Sequence, residues 1–278
     1  MLLSFSYTDL PVRLAVLGIE LILTLGIVFW IRRSLRGHQE SWKFVLQLLG
    51  CGALAAVISA FVEIRYSIKI SQIQAAHPLL SDQYGGWYVV LNNFTASLIE
   101  ELAKYLVALI AVLNSRHFYK LSTAIVYLIL VGLGFTLIED AIFLANPATI
   151  APYRLISFFV HSGTSAIIGY SLGRFRFGLA RYRDLAIALT GAVLLHFAYD
   201  LSVSIPSLQE SAYFTLAVTL FISSRIIILF QRTLQEEYRL EQELFQPVPH
   251  TLLNINGKKG KASDEAVRHV SATGIRRL

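Results

Sequence analysis

The stretch SLIEELAKYLVALIAVL, residues 97–113, sets Glu100, Glu101 and Lys104 inside an otherwise apolar run. A charge at the centre of a membrane-spanning helix costs roughly 2.5–3.5 kcal/mol on insertion scales, so it persists there where it is paired or does chemistry. The surrounding sequence supports the membrane setting. The 278 residues are 55% hydrophobic and only 15% charged, where a soluble domain carries about 25% charged residues. Mean hydropathy is +0.58. Apolar stretches long enough to cross a hydrocarbon core recur along the chain. The expected fold is an all-α polytopic membrane helix bundle of about seven transmembrane helices, at roughly residues 14–31, 44–64, 88–112, 121–144, 153–173, 184–204 and 212–231.

Loop charge sets the expected orientation. The first, third and fifth loops carry ten basic residues (Arg32, Arg33, Arg36, Lys43, Arg116, Lys120, Arg174, Arg176, Arg181 and Arg183). The even loops carry three, Arg65, Lys69 and Arg154. The positive-inside rule then places the N-terminus outside and the C-terminus in the cytoplasm. This topology also accounts for the net charge of +6, so no nucleic-acid partner is expected. The opening MLLSFSYTDLPV lacks a basic n-region and a small-residue cleavage site, and the first span is expected to remain. Cys51 is the lone cysteine, which excludes an internal disulfide framework.

Residues 1–231 read as a membrane-embedded domain with its core at about 88–204. Residues 232–278 read as a cytoplasmic tail. The tail opens with a short amphipathic helix, RTLQEEYRLEQELF, and continues as a polar, disordered segment. The 23 residues from Arg65 to Trp87 form the longest expected loop.

Further ionisable groups follow on neighbouring spans: Glu139 and Asp140, then His161, then His196 and Asp200. Lys104 lies three and four residues from the two glutamates, so it can neutralise one and leave the other over. His196 and Asp200, four apart, share a helix face, and Asp200 is expected to orient the imidazole. At about 1.5 Å of rise per residue, Glu100 falls some 18 Å below its span's outer end, Glu139 about 8 Å, both histidines about 12 Å and Asp200 about 6 Å. These depths share the middle and outer half of a core about 30 Å thick. Carboxylates and imidazoles at one level can deprotonate water, ligate a metal or hold a developing oxyanion. Glu100 is expected to be the water-activating base, assisted by Glu139. Glu101 is either a catalytic acid or the partner of Lys104. Asp140 is turned about 100° from Glu139 and reads as structural. Glu20, outside these groups, reads as neutral or bonded to a neighbouring helix. The small residues Gly163, Ser165, Ala166 and Gly169 allow close helix packing or leave room for a substrate backbone.

In order, these residues spell Glu100-Glu101-Leu102-Ala103-Lys104, Phe135-Thr136-Leu137-Ile138-Glu139, His161 followed by SGTSAIIGY, and His196-Phe197-Ala198-Tyr199-Asp200. The set resembles the EExxK, FxxxE, His and HxxxD motifs of the PrsW family of intramembrane proteases, related to the CAAX-processing and bacteriocin-processing membrane proteases. Phe143 departs from it, since many relatives carry a tyrosine there. The resemblance implies a multi-pass enzyme of a bacterial or archaeal cell membrane. Its partners would be the lipid bilayer and a single-pass membrane protein substrate, of the anti-sigma-factor kind, cleaved near the outer face. Glu100, Glu101, Glu139, His161, His196 and Asp200 would form the catalytic set. Members are described as metal-dependent or as glutamate-dependent, and the sequence leaves both open; Glu139, His161 and His196 would hold a divalent metal such as zinc. From the residues alone, intramembrane Glu, Asp, His and Lys also fit a proton- or cation-coupled transporter. Two histidines on adjacent spans permit a bis-His haem, which gives the carboxylates no role.

Overall fold

The computed structural model describes residues 10–34, 41–112, 118, 120–145, 151–205 and 212–245. Among these there are seven helices: α1 (Leu10–Ser34), α2 (Trp42–Ala76), α3 (Pro78–Val112), α4 (Leu121–Leu144), α5 (Ala151–Arg176), α6 (Tyr182–Ser204) and α7 (Ala212–Phe245). All but α3 are long and apolar enough to cross a membrane. Helix α3 has the length but carries Glu100, Glu101 and Lys104 together, which lowers its apolarity; its charges face other helices, not lipid.

Two expectations change. The long loop at 65–87 is absent: α2 runs to Ala76 and α3 begins at Pro78, with His77 between them. A helix satisfies its own backbone, so it continues past the point where its side chains stop being apolar. Likewise, the amphipathic segment at 232–245 is helical but is the continuation of α7. The expected disordered segment beyond it lies outside the described residues.

Helix α4 is the axis of the bundle. It is apolar on every side and buries 18 of its 24 residues, as a helix without a polar face must. It packs mainly on α2 and α5; α6 bridges α3 and α5, and α7 lies against α5. Both ends of α4 are satisfied by distant helices. The Ser122 backbone N–H donates to Glu237 Oε1 at 2.6 Å, and its hydroxyl donates to Oε2 at 3.0 Å. At the other end, Arg13 of α1 donates to the Leu144 carbonyl at 2.8 Å. An anion at the N-terminus and a cation at the C-terminus also complement the helix dipole. Arg174 of α5 pairs with Glu236, next to the first of these contacts.

Close backbone approach fixes the α2–α4 crossing. A Cβ on Gly134 would overlap the Leu49 carbonyl, and one on Gly52 would overlap the Val131 carbonyl. On α5, Gly169 lies against the Ala124 carbonyl and Gly163 against Ile222 of α7, so this small-residue stretch packs helices and leaves no room for substrate. Gly134→Ala is expected to destabilise by roughly 1–3 kcal/mol through overpacking, read as a lower melting temperature in detergent. Gly18→Ala, with open space at its Cβ, is expected to melt as the parent does.

Candidate active site

Adjacent residues on a helix point about 100° apart, and α3 uses this to give its two glutamates different surroundings. Glu101 is fully buried. Its Oε1 accepts from Lys104 Nζ at 2.7 Å, from Thr164 Oγ1 at 2.9 Å and faces His196 Nδ1 at 2.9 Å. Three donors on one oxygen make Glu101 the lysine's partner and the anchor of the His196 ring. Glu100 is the residue left over. Its Oε2 is buried and has no hydrogen-bond partner among the described residues. It faces His196 Nε2 at 3.6 Å and His161 Nδ1 at 3.9 Å.

The two imidazoles meet edge to face, with ring centroids 4.7 Å apart. With Nδ1 of His196 against the Glu101 carboxylate, its proton belongs there, and Nε2 presents a lone pair toward Glu100. Asp200, expected to orient this ring, faces its other nitrogen: its Oδ2 lies 3.5 Å from His196 Nε2 and accepts a hydrogen bond from Ser97 Oγ at 2.7 Å, while Glu101 makes the shorter contact, at Nδ1. Around His161, Lys104 Nζ lies 3.1 Å from Nδ1. Glu139 Oε2 is 2.5 Å from Nε2, off the line of a regular hydrogen bond. Phe135, the aromatic residue of the FxxxE motif, packs 5.1 Å from the His161 ring and lies 4.7 Å from the Lys104 ammonium. It shields that buried charge with its π face.

Glu139 and Asp140 are both gripped by Arg154 of α5. The guanidinium donates to Glu139 Oε1 at 2.6 Å and also to Asp140. Buried Glu20 of α1 lies against the same group, with Asp140 its main side-chain neighbour. Arg154 therefore belongs to the site's support and not to an outer loop. Sequence reasoning also missed Ser97, Thr164 and Glu63. Ser97 stands three residues before Glu100, and Thr164 three after His161, one helical turn in each case. Arg154→Lys keeps the charge but loses the planar fork that spans two carboxylates. Cleavage is expected to fall roughly tenfold with folding retained, measured as cleavage rate beside a melting curve.

The residues fit a metal, with one change to the expected set. Glu100, His161 and His196 offer ligand atoms within 4.8 Å of one another. The separations of 3.6 and 3.9 Å around the unpartnered Glu100 oxygen are too long for hydrogen bonds. They are near the ~3.4 Å expected between ligands whose bonds of about 2.1 Å meet at a tetrahedral angle. The Glu101–His196 contact is the carboxylate–imidazole pairing that orients metal-binding histidines. Glu139 is not among the three residues whose ligand atoms converge, and Arg154 holds its Oε1. His161 Nδ1 is free to ligate only when Lys104 no longer donates to it.

A family model described as "PrsW family intramembrane metalloprotease" matches residues 40–226, well over half of the chain. The chain belongs to the PrsW family. Two curated relatives carry the name Protease PrsW. The one from Bacillus subtilis (strain 168) is 27% identical over 148 residues, covering 52% of this chain and 67% of that protein. The one from Clostridioides difficile (strain 630) is 23% identical over 182 residues, covering 62% and 72%. No solved structure matches. The match reaches from the start of α2 into α7, beyond the four motif-bearing helices. This PrsW-family member is an intramembrane protease and a multi-pass membrane protein of the kind found in bacteria.

Proposed function

We propose that this protease hydrolyses a peptide bond of a single-pass membrane protein, of the anti-sigma-factor type, in the outer half of the bilayer, with Glu100 activating the water. The observation that carries this reading is the buried, unpartnered Glu100 Oε2 facing two imidazoles. A water seated there gives one proton to Glu100, and its other hydrogen bonds to His196 Nε2. The oxygen adds to the scissile carbonyl. Glu100 then returns its proton to the nitrogen as the C–N bond breaks, leaving a carboxylic acid, which ionises to its carboxylate, and an amine, which takes up that proton. Glu101 holds His196 in the tautomer this requires, while Lys104 neutralises Glu101. Glu139, held by Arg154, fixes His161. A divalent ion such as zinc, held by Glu100, His161 and His196, would supply Lewis-acid polarisation and a more acidic water. With the ion bound, Glu100 and His196 would serve as ligands and not as proton acceptors, so Glu100 is required in either case.

Hydrolysis within a membrane needs a wet polar cavity and a substrate segment whose backbone is not helical, because an intact helix shields its carbonyls. The test is the purified protein with reconstituted single-span peptides, fragments being mapped by mass spectrometry. Loss of cleavage with a chelator and recovery with added zinc places Glu100 among the ligands. Cleavage indifferent to the chelator removes the metal from the reading. Comparison of membrane-anchored fragments in cells with and without the protein identifies the substrate.

A further inference from the structure

Beside the catalytic centre, a cleft of about 710 Å³ opens between α2 and the C-terminal end of α4, with Glu63, Ser67, Ser71, Gln72, Ile142 and Phe143 on its walls. Its size lies within the roughly 300–1,000 Å³ of ligand pockets. Glu63, Ser67 and Ser71 are spaced four apart, which puts them in one row on α2. Glu63 stands at the catalytic end of that row. It is half-buried, and its Oε1 is buried with no hydrogen-bond partner among the described residues. Its electrostatic neighbours are Glu100, Glu139, Asp200 and His196. Arg154 and Ser97 answer Glu139 and Asp200; no described cation pairs with Glu63. A carboxylate left this way in a membrane protein is costly until a partner arrives.

We propose that Glu63 is a substrate-recognition residue: it receives a lysine or arginine side chain of the extended substrate segment lying in the α2–α4 cleft, next to the scissile bond. This rests on the proteolytic reading above. The occupant follows from charge complementarity and from continuity, since the row of polar side chains leads to the reacting centre between apolar walls. Ile64, Ile68, Ile142 and Phe143 supply those walls and are exposed. Most single-span proteins carry their basic residues on the cytoplasmic side. A basic residue on the outer side is therefore a selective feature, and Glu63 would restrict cleavage to the few segments that have one.

The test uses the full-length Glu100→Gln protein in nanodiscs, with photo-reactive benzoylphenylalanine replacing Ser67. The probes are three single-span peptides bearing Lys, Gln or Glu at the outer juncture. The Lys peptide is expected to be captured about fivefold or more over the Glu peptide. Adding Glu63→Gln is expected to flatten that ratio and Glu63→Lys to reverse it. Melting curves check the folding of each variant, and the Gln variant alone suffices where the Lys variant unfolds. Equal capture of the three peptides, or capture of lipid in place of peptide, overturns the proposal. Charge-selective capture together with no cleavage of the Lys peptide by the unsubstituted protein supports recognition by Glu63 and contradicts the proteolytic mechanism.

Discussion

Glu100→Gln is expected to lower peptide-bond cleavage by roughly 10²–10⁴-fold, the usual contribution of a positioned proton acceptor, while the protein purifies and melts as the parent does. The amide keeps the size of the carboxylate but neither takes a proton from water nor carries charge to a metal. Folding is spared because Glu100 Oε2 has no hydrogen bond to lose among the described residues. Its neighbours His161 and His196 are held by other groups, Lys104 and Glu101. Rates come from mass spectrometry of a reconstituted single-span peptide. Undiminished cleavage by Glu100→Gln removes this residue from the chemistry.

One position along, the expected result is the reverse. Glu101→Ala leaves the fully buried Lys104 ammonium without its 2.7 Å partner, a loss of roughly 3–5 kcal/mol for one member of a buried pair. It is expected to show as a large drop in melting temperature or as failure to purify folded protein. Replacing both residues, Glu101→Leu with Lys104→Leu, removes the charges together and is expected to restore most of the stability. Activity is not expected to return, because His196 Nδ1 then has no carboxylate to fix its tautomer. A stable Glu101→Ala protein contradicts the structural role given to this residue. An active double variant contradicts the orienting one.

The sequence made the helices legible because apolar runs and interfacial charges mark spans almost directly. It also showed that intramembrane acids and histidines on four helices belong together. Single-chain patterns do not report partner choice across helices. Glu100 and Glu101 look equivalent in the motif; only the placement of Lys104, Thr164 and His196 separates them. Asp200 was read as the group orienting His196 because four residues of spacing favours that pair, yet Glu101 on another helix lies nearer the other ring nitrogen. Glu139 looked like a metal ligand until Arg154 was seen to hold it, and Arg154 had been counted among the loop charges. Glu63 was missed because it stands at the edge of the expected 44–64 span beside Arg65 and Lys69, where a charge needs no buried partner, whereas α2 runs on to Ala76. The same error shortened α3, whose outer end at Pro78 makes depth counted from residue 88 too small. Contact among the site residues therefore rests on the packed helices and not on the counted depths.

The most direct measurement is cleavage of a reconstituted single-span peptide in water enriched in ¹⁸O, with each fragment mapped and weighed. The unsubstituted protein is expected to yield a new C-terminus inside the outer half of the span carrying one ¹⁸O from the attacking water, and Glu100→Gln to yield none. Identical labelled fragments from both proteins, or intact peptide from both, would contradict the account.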